Sequence, residues 1–396
     1  MSQEISADSA SALPTVEAML SQLVAVNSIS STEPALDRSN EGVITLLAGW
    51  LRQIGAEVSI HEVIGAPRKL NLVAKLGQGD GGLVFSGHTD TVPYDAQRWA
   101  TDPFRLTEQD GRLHGLGATD MKGFLAVAVA VLAGHARQTL KKPLWLVATC
   151  DEESTMSGAR WLQEMGEKGQ GVLRADYVVI GEPTDLVPVR AHKGHLAHRL
   201  CAHGHSGHSS NPAAGRNAID GLHAAMSELM AWRRQLQQRH HDDSFAVPHP
   251  TLNFGRIAGG DAVNRICPDA ELDFDLRPLP GMALPSLYAE LQQQIRNAQE
   301  HSSASLELKE LWPGTPAFST PASATLVSAA QALTGQEPIC VNYGTEAPYF
   351  RALGAEVIVL GPGRIDRAHQ PNEYITREEL ARCEQLLQEL VQQLCR

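Results

Sequence analysis

A chain of 396 residues with 43% hydrophobic and 20% charged residues has ample length for two or three domains with buried cores. Its formal net charge of −12 argues against nucleic acid or an anionic membrane surface as the main partner, and its longest apolar run, near Leu125–Ala133, is too short to span a bilayer. Six scattered cysteines without a Cys-x-x-Cys pair argue against a zinc ribbon or a disulfide scaffold; with no Lys or Arg before Arg38 to form a targeting peptide, the expected location is the cytosol.

The first dozen residues are polar and small, a composition that predicts disorder. Apolar residues recur at helical spacing from Leu13 to Val26 and again from Leu36 to Ile54, where Gly55 supplies a stop. Glu57–Val63 and Leu70–Leu76 read as strands. Gly77-Gln78-Gly79-Asp80-Gly81-Gly82 has the spacing of a dinucleotide loop, but a strand follows where such a loop needs a helix, so it reads as a turn. That strand begins at Leu83 and ends in His88-Thr89-Asp90. Residues two apart on a strand share a face, so His88 and Asp90 point the same way. An imidazole beside a carboxylate is the usual arrangement of a metal ligand and its orienting partner.

A short hairpin around Asp110-Gly111 comes next, then the segment Gly115–Gly123 with Asp120, then an apolar helix from Phe124 to Ala136. The strand Pro143–Thr149 runs into Asp151-Glu152-Glu153. After a helix from Ser157 to Met165, the strand Tyr177–Ile180 ends in Gly181-Glu182-Pro183-Thr184. Strands alternating with helices predict an α/β fold: a mixed, mostly parallel sheet flanked by helices, with ligands gathered at the carboxyl ends of its strands.

From His192 the pattern changes to a strand reaching about Gly204, a helix (Asn217–Arg239), two strands (Thr251–Ile257, Glu271–Arg277), a helix (Leu284–Ala298) and a strand (Ser305–Leu311). This β-α-β-β-α-β order predicts a ferredoxin-like α+β insertion. The expected division is a catalytic domain in two segments, 1–191 and 313–396, around an inserted domain at 192–312. The α/β pattern resumes with a helix from Pro321 to Leu333 and a strand at Val357–Leu360; a loop carrying His369 and a helix at Arg377–Leu394 close the chain.

His88, Asp120, Glu153, Glu182 and His369 are the candidate metal ligands, each at a strand end or in an adjoining loop. Imidazoles with carboxylates suit Zn²⁺ or another divalent first-row ion better than Mg²⁺. On an extended backbone the adjacent Glu152 and Glu153 point apart, which predicts a division of labour: one ligand, and one carboxylate free to take a proton from water. No Gly-x-Ser-x-Gly elbow occurs, and Cys150 reads as a buried strand residue rather than a nucleophile.

Ser86–Pro93, Asp120-Met121-Lys122-Gly123, Asp151-Glu152-Glu153, Gly181-Glu182-Pro183-Thr184 and Ser206-Gly207-His208-Ser209-Ser210 follow one another as in a known family. The chain resembles the dinuclear zinc amidohydrolases that include aminoacylases, succinyl-diaminopimelate desuccinylase and bacterial carboxypeptidases of the G type. The resemblance runs from about Val16 to the C-terminal helix and takes in Val189–Gly194, Arg277–Met282, Asn342–Pro348 and Ala368-His369-Gln370-Pro371. It implies a zinc exopeptidase-like catalytic domain and two divalent metal ions per subunit, Zn²⁺ with Co²⁺ able to substitute. Asp120 would bridge the two ions, with His88 and Glu182 completing one site and Glu153 and His369 the other. Glu152 would be the general base and Asp90 the carboxylate that orients His88, and the bond after Asp120 would be cis. The inserted domain would act as a lid and carry the contact of a homodimer. His208 would reach the partner subunit's site and donate to the oxyanion, while Asn264, Arg277, Thr345 and Glu346 would bind substrate. The implied reaction is hydrolysis of an N-acyl amino acid, with N2-acetyl-L-ornithine the expected substrate. Rival expectations are acetylcitrulline, succinyl-diaminopimelate, a dipeptide, or a non-catalytic homologue that only binds. Two positions depart from the family pattern: Gly344 stands where a cysteine is expected and Asn372 where an aspartate is usual.

Overall fold

The computed structural model describes residues 13–63 and 67–396, so the expectation for the first dozen residues lies outside the described residues. The described residues form two compact units: 13–63, 67–187, 332–335 and 353–396 make one, and 188–331 and 336–352 the other.

The first unit is built on a six-strand run of sheet in the order Glu57–Val63, Lys69–Leu76, Leu144–Thr149, Leu83–His88, Tyr177–Ile180 and Glu356–Val359. Its first two pairings are antiparallel. The remaining three are parallel, so four strands run side by side in one direction. Leu83–His88 and Leu144–Thr149 are buried at every position, as expected of strands covered on both faces. The helix Gly123–His135 is apolar all round because it is a core helix, with Phe124, Leu125, Val127, Val131 and Leu132 inaccessible to solvent. The C-terminal helix Arg377–Leu394 packs against it and starts with a capping box, in which Thr376 and Glu379 bond reciprocally to each other's backbone N–H. A small antiparallel sheet joins Thr107–Gln109, Arg112–His114 and Tyr374–Thr376.

In the second unit, His195–His203, Ala218–Arg239, Thr251–Gly259, Asp269–Arg277, Leu284–Glu300 and Ser305–Thr315 realise the β-α-β-β-α-β order. The four strands are antiparallel, with His195–His203 and Asp269–Arg277 in the middle. Trp232, Leu229, Leu272, Phe274 and Leu291 fill the space between sheet and helices. The single strand expected from His192 is two: Val189–His192 and His195–His203, separated where Gly194 N–H bonds the Pro278 carbonyl instead of a ladder partner. Val189–His192 pairs with Phe318–Ser319 and Ile339–Val341, which gathers those later segments into this unit.

Candidate active site

Parallel strands deliver the functional groups of the first unit to one end of the sheet. Leu83–His88 ends on His88 itself, Leu144–Thr149 leads to Glu152 and Glu153, and Tyr177–Ile180 leads to Glu182. Gly181 is a packing requirement, because a Cβ there would lie 2.0 Å from the Phe124 ring. Asp120 precedes a cis peptide bond to Met121, and His369 sits at φ 59° in the loop after Glu356–Val359.

His88 Nε2 lies 3.0 Å from Asp120 Oδ1 and 3.7 Å from Glu182 Oε1. His369 Nε2 lies 2.9 Å from Glu153 Oε1 and 3.4 Å from Asp120 Oδ2. Asp120 therefore faces both imidazoles, one through each oxygen. Ligand atoms of His88, Glu152 and Glu182 fall within 4.8 Å of one another, and so do those of His88, Asp120 and Glu153. Both adjacent glutamates thus reach the cluster. The extended backbone that would point them apart is not what forms: Asp151, at φ 59°, opens a turn closed by the N–H groups of Thr155 and Met156 on its carbonyl.

Asp90 acts on this cluster in two ways. Its carbonyl oxygen is 3.0 Å from His88 Nδ1 and fixes that nitrogen as the donor, while its carboxylate is farther off, at 3.8 Å. That carboxylate instead accepts the backbone N–H groups of Glu152 (3.3 Å) and Glu153 (3.2 Å). Burial pushes the Asp90 carboxyl up to about 6, and the His88 charge opposes the rise. Burial would lower His88, but hydrogen bonding to Asp120 and the charges of Glu182, Asp120 and Asp90 raise it well above its ordinary value. Hydrogen bonds to Asp120 and Glu153 raise His369 to about 11. Burial would raise Asp120, yet the two imidazoles hold it below the usual carboxylate range. The pocket is built to hold positive charge.

The second unit carries the other expected residues. His208 is exposed, and its Nδ1 accepts from the Ser210 backbone N–H (3.3 Å) and lies 2.8 Å from Ser210 Oγ. With Nδ1 an acceptor, the neutral ring carries its proton on Nε2, so the outward nitrogen is a donor. The exposed Asn264 ties its carbonyl to Ser209 N–H. Arg277, at the end of Asp269–Arg277, spends its Nε on Asp275 (2.7 Å) and keeps both terminal nitrogens available among the described residues. Thr345 and Glu346 are buried. Thr345 N–H donates to His192 Nε2 (3.1 Å), whose Nδ1 lies 2.8 Å from the Lys193 carbonyl.

The model of peptidase family M20/M25/M40 matches residues 84–393, which spans every candidate ligand. This chain belongs to that family. Among curated M20 relatives it is 46% identical to an acetylornithine deacetylase of Edwardsiella ictaluri over 97% of this chain and 98% of the relative. It is 47% identical to one of Klebsiella pneumoniae over 94% and 96%. Its M20 fold superimposes on a metallo-carboxypeptidase of Sulfolobus solfataricus with a TM-score of 0.76 at 19% identity, over 96% of this chain and 99% of that one. A Bacillus subtilis M20 peptidase described as binding a dinuclear metal gives a TM-score of 0.64 at 17% identity, over 95% and 96%. Oxygen and imidazole donors in this arrangement fit divalent metal ions: each imidazole aims one nitrogen at two carboxylates, and the acids outnumber the imidazoles.

Three contacts of this M20 site escape a reading of the sequence. Lys69 Nζ bonds both Asp37 and Asp151, each at 2.7 Å, and so anchors the turn of Glu152 and Glu153. Glu373 receives three backbone N–H groups around Asp120. Asn372, at φ 63°, accepts from Ala100 N–H (2.7 Å) and donates to the Arg98 carbonyl (3.3 Å). The second bond needs an amide, which gives this departure from the family pattern a structural use. A Cβ at Gly344 would meet only the Lys193 carbonyl, at an ordinary 3.6 Å, so packing does not demand glycine there.

Proposed function

We propose that this chain is a metal-dependent amidohydrolase that converts N2-acetyl-L-ornithine to L-ornithine and acetate. The observation that carries the reading is the intact cluster of His88, Asp120, Glu152, Glu153, Glu182 and His369 in a chain nearly half identical, end to end, to acetylornithine deacetylases. Asp120, His88 and Glu182 would hold one ion, and Asp120, Glu153 and His369 a second. Bound there, divalent ions, Zn²⁺ in our reading with Co²⁺ able to substitute, polarise the acyl carbonyl and acidify water. Glu152 takes the proton of the attacking water and returns it to the leaving amine. Asp90 holds His88 in one tautomer through its carbonyl and holds the Glu152–Glu153 backbone through its carboxylate. His208, from the partner subunit of a homodimer joined through the inserted domain, donates its Nε2–H to the oxyanion. Arg277 takes the α-carboxylate in a bidentate contact, with Asn264 and Thr345 beside it as substrate contacts, and Glu346 reads the δ-ammonium. The enzyme works in the cytosol, in keeping with six cysteines that form no disulfide among the described residues.

The test is a panel of N-acyl amino acids with protein loaded with Zn²⁺ or Co²⁺. N2-acetyl-L-ornithine should give the highest kcat/KM, ahead of acetylcitrulline, succinyl-diaminopimelate and dipeptides. A dipeptide or succinyl substrate turned over faster would overturn the substrate assignment. No turnover of any of them by metal-loaded protein would leave a binding module.

A further inference from the structure

We infer that Glu373 is a positioning residue that fixes the Asp120 backbone and thereby tunes how tightly the cluster holds metal; the inference rests on the metal-centred reading above. Glu373 is 3% exposed, and among the described residues its carboxylate bonds backbone N–H groups and neither candidate-ligand imidazole. Oε2 accepts from Gly117 N–H (2.9 Å), and Oε1 accepts from Thr119 N–H (2.7 Å) and Asp120 N–H (2.9 Å). Its own carbonyl accepts from Gly115 N–H (3.1 Å). The segment of residues 115–120 is thus wrapped around one residue, with Gly117, Thr119 and Asp120 on its side chain and Gly115 on its carbonyl.

The partner has to be a carboxyl group. Three N–H groups converge on it, so both of its terminal atoms have to accept, which an amide nitrogen cannot do. Gly117 can turn its N–H inward because it adopts φ 77°, and a Cβ there would lie 2.6 Å from Thr91. Glu373 also follows His369 by four residues, and Thr119 Oγ1 donates to the next carbonyl along, that of Tyr374. The same side chain therefore ties the segment carrying Asp120 to the segment carrying His369. Asp120 faces both imidazoles, so a shift of its backbone is felt by all the ligands at once.

Wild-type protein, Glu373→Gln and Glu373→Ala, all stripped of metal, are titrated with Zn²⁺ against a chromophoric chelator at a temperature where each is folded. Glutamine keeps the oxygen for Thr119 and Asp120 but turns an N–H toward Gly117. It should weaken Zn²⁺ binding about 10–100-fold, as loss of outer hydrogen-bond partners commonly does, and alanine should weaken it further. Hydrogen exchange of residues 115–123 should speed up in the same order. Leu387→Ala opens a cavity in the C-terminal helix and serves as the control; it should lower stability and leave Zn²⁺ affinity unchanged. Should the glutamine variant fail to fold, Glu373→Asp, which keeps the charge but shortens the reach, replaces it, with a weaker shift of the same sign. Unchanged affinity in folded Glu373 variants, or an equal loss in Leu387→Ala, overturns the inference alone. Wild-type protein that takes up no Zn²⁺ overturns the functional reading as well.

Discussion

Replacing Lys69 with methionine removes the only cation bonded to Asp37 and Asp151 among the described residues. The ammonium is almost fully buried, and each carboxylate is 13% exposed. Burial works against the charge on Lys69, but its hydrogen bonds to Asp151 and Asp37 and their negative charges more than offset it and raise its pKa. Breaking such a buried pair leaves charge without a partner and costs about 3–5 kcal/mol. Asp151 also accepts from Ser157 Oγ (2.7 Å) and holds the turn of Glu152 and Glu153, so the damage should concentrate there. Because the chain forms two units, the measurement is local: hydrogen exchange of residues 144–160 in wild type, Lys69→Met, Asp37→Asn and the double variant. Lys69→Met should lower the local opening free energy by roughly 3 kcal/mol or more. Adding Asp37→Asn should recover part of that, giving a coupling of about 1 kcal/mol or more. A loss below about 1 kcal/mol, or strict additivity, would mean that the triad behaves as an exposed ion pair and that the turn is held by other contacts.

Glu152→Ala should abolish most turnover with metal content nearly intact, whereas Glu153→Ala should lose metal; equal metal loss, measured by atomic absorption, would mean the pair is wrongly divided. Mixing inactive His208→Ala and Glu152→Ala subunits should restore some activity if His208 acts across the dimer, and no recovery after demonstrated subunit exchange would place it elsewhere. Glu346→Gln should lower kcat/KM for acetylornithine much more than for acetylmethionine, and an equal loss on both would assign Glu346 to the structure of the site. His192 supplies a pH test. Burial holds its pKa down to about 4, so the unfolded chain binds the extra proton between about 6.5 and 4. Its contribution is full above that window and fades on acidification by up to roughly 3 kcal/mol. His192→Gln should therefore lose less stability than wild type between pH 7 and pH 4.5, and parallel losses would contradict the buried, neutral assignment.

Three of the candidate ligands, His88, Glu153 and Glu182, stand out in the sequence because each ends or closely follows an apolar run whose length and β-branched content announce a strand, as in Leu83–His88 and Tyr177–Ile180. Strand direction was not readable, since nothing in Lys69–Leu76 says that it pairs antiparallel with Leu144–Thr149. The expectation that Glu152 and Glu153 point apart rested on an extended backbone, and local sequence does not announce the left-handed Asp151 that turns it. Lys69 and Glu373 were missed for one reason: their partners lie far along the chain, and a charged residue looks the same in sequence whether it faces water or a buried nest of N–H groups. Asn372 was noticed only as a departure, and its two bonds to the backbone near Arg98 give it a purpose.

The catalytic unit is interrupted in sequence: five of its acids and imidazoles come from the first half of the chain, and His369 comes after the whole inserted unit. During translation, the ribosome therefore releases His88, Asp120, Glu152, Glu153 and Glu182 long before the residue that completes the set. The helix Arg377–Leu394, which packs on the core helix Gly123–His135, emerges later still. A message truncated before His369 yields a chain whose acids have no second imidazole, no Glu373 to shape the Asp120 segment and no final helix to seal the core. On the reading proposed above, hydrolytic competence therefore waits until nearly the whole sequence has been translated.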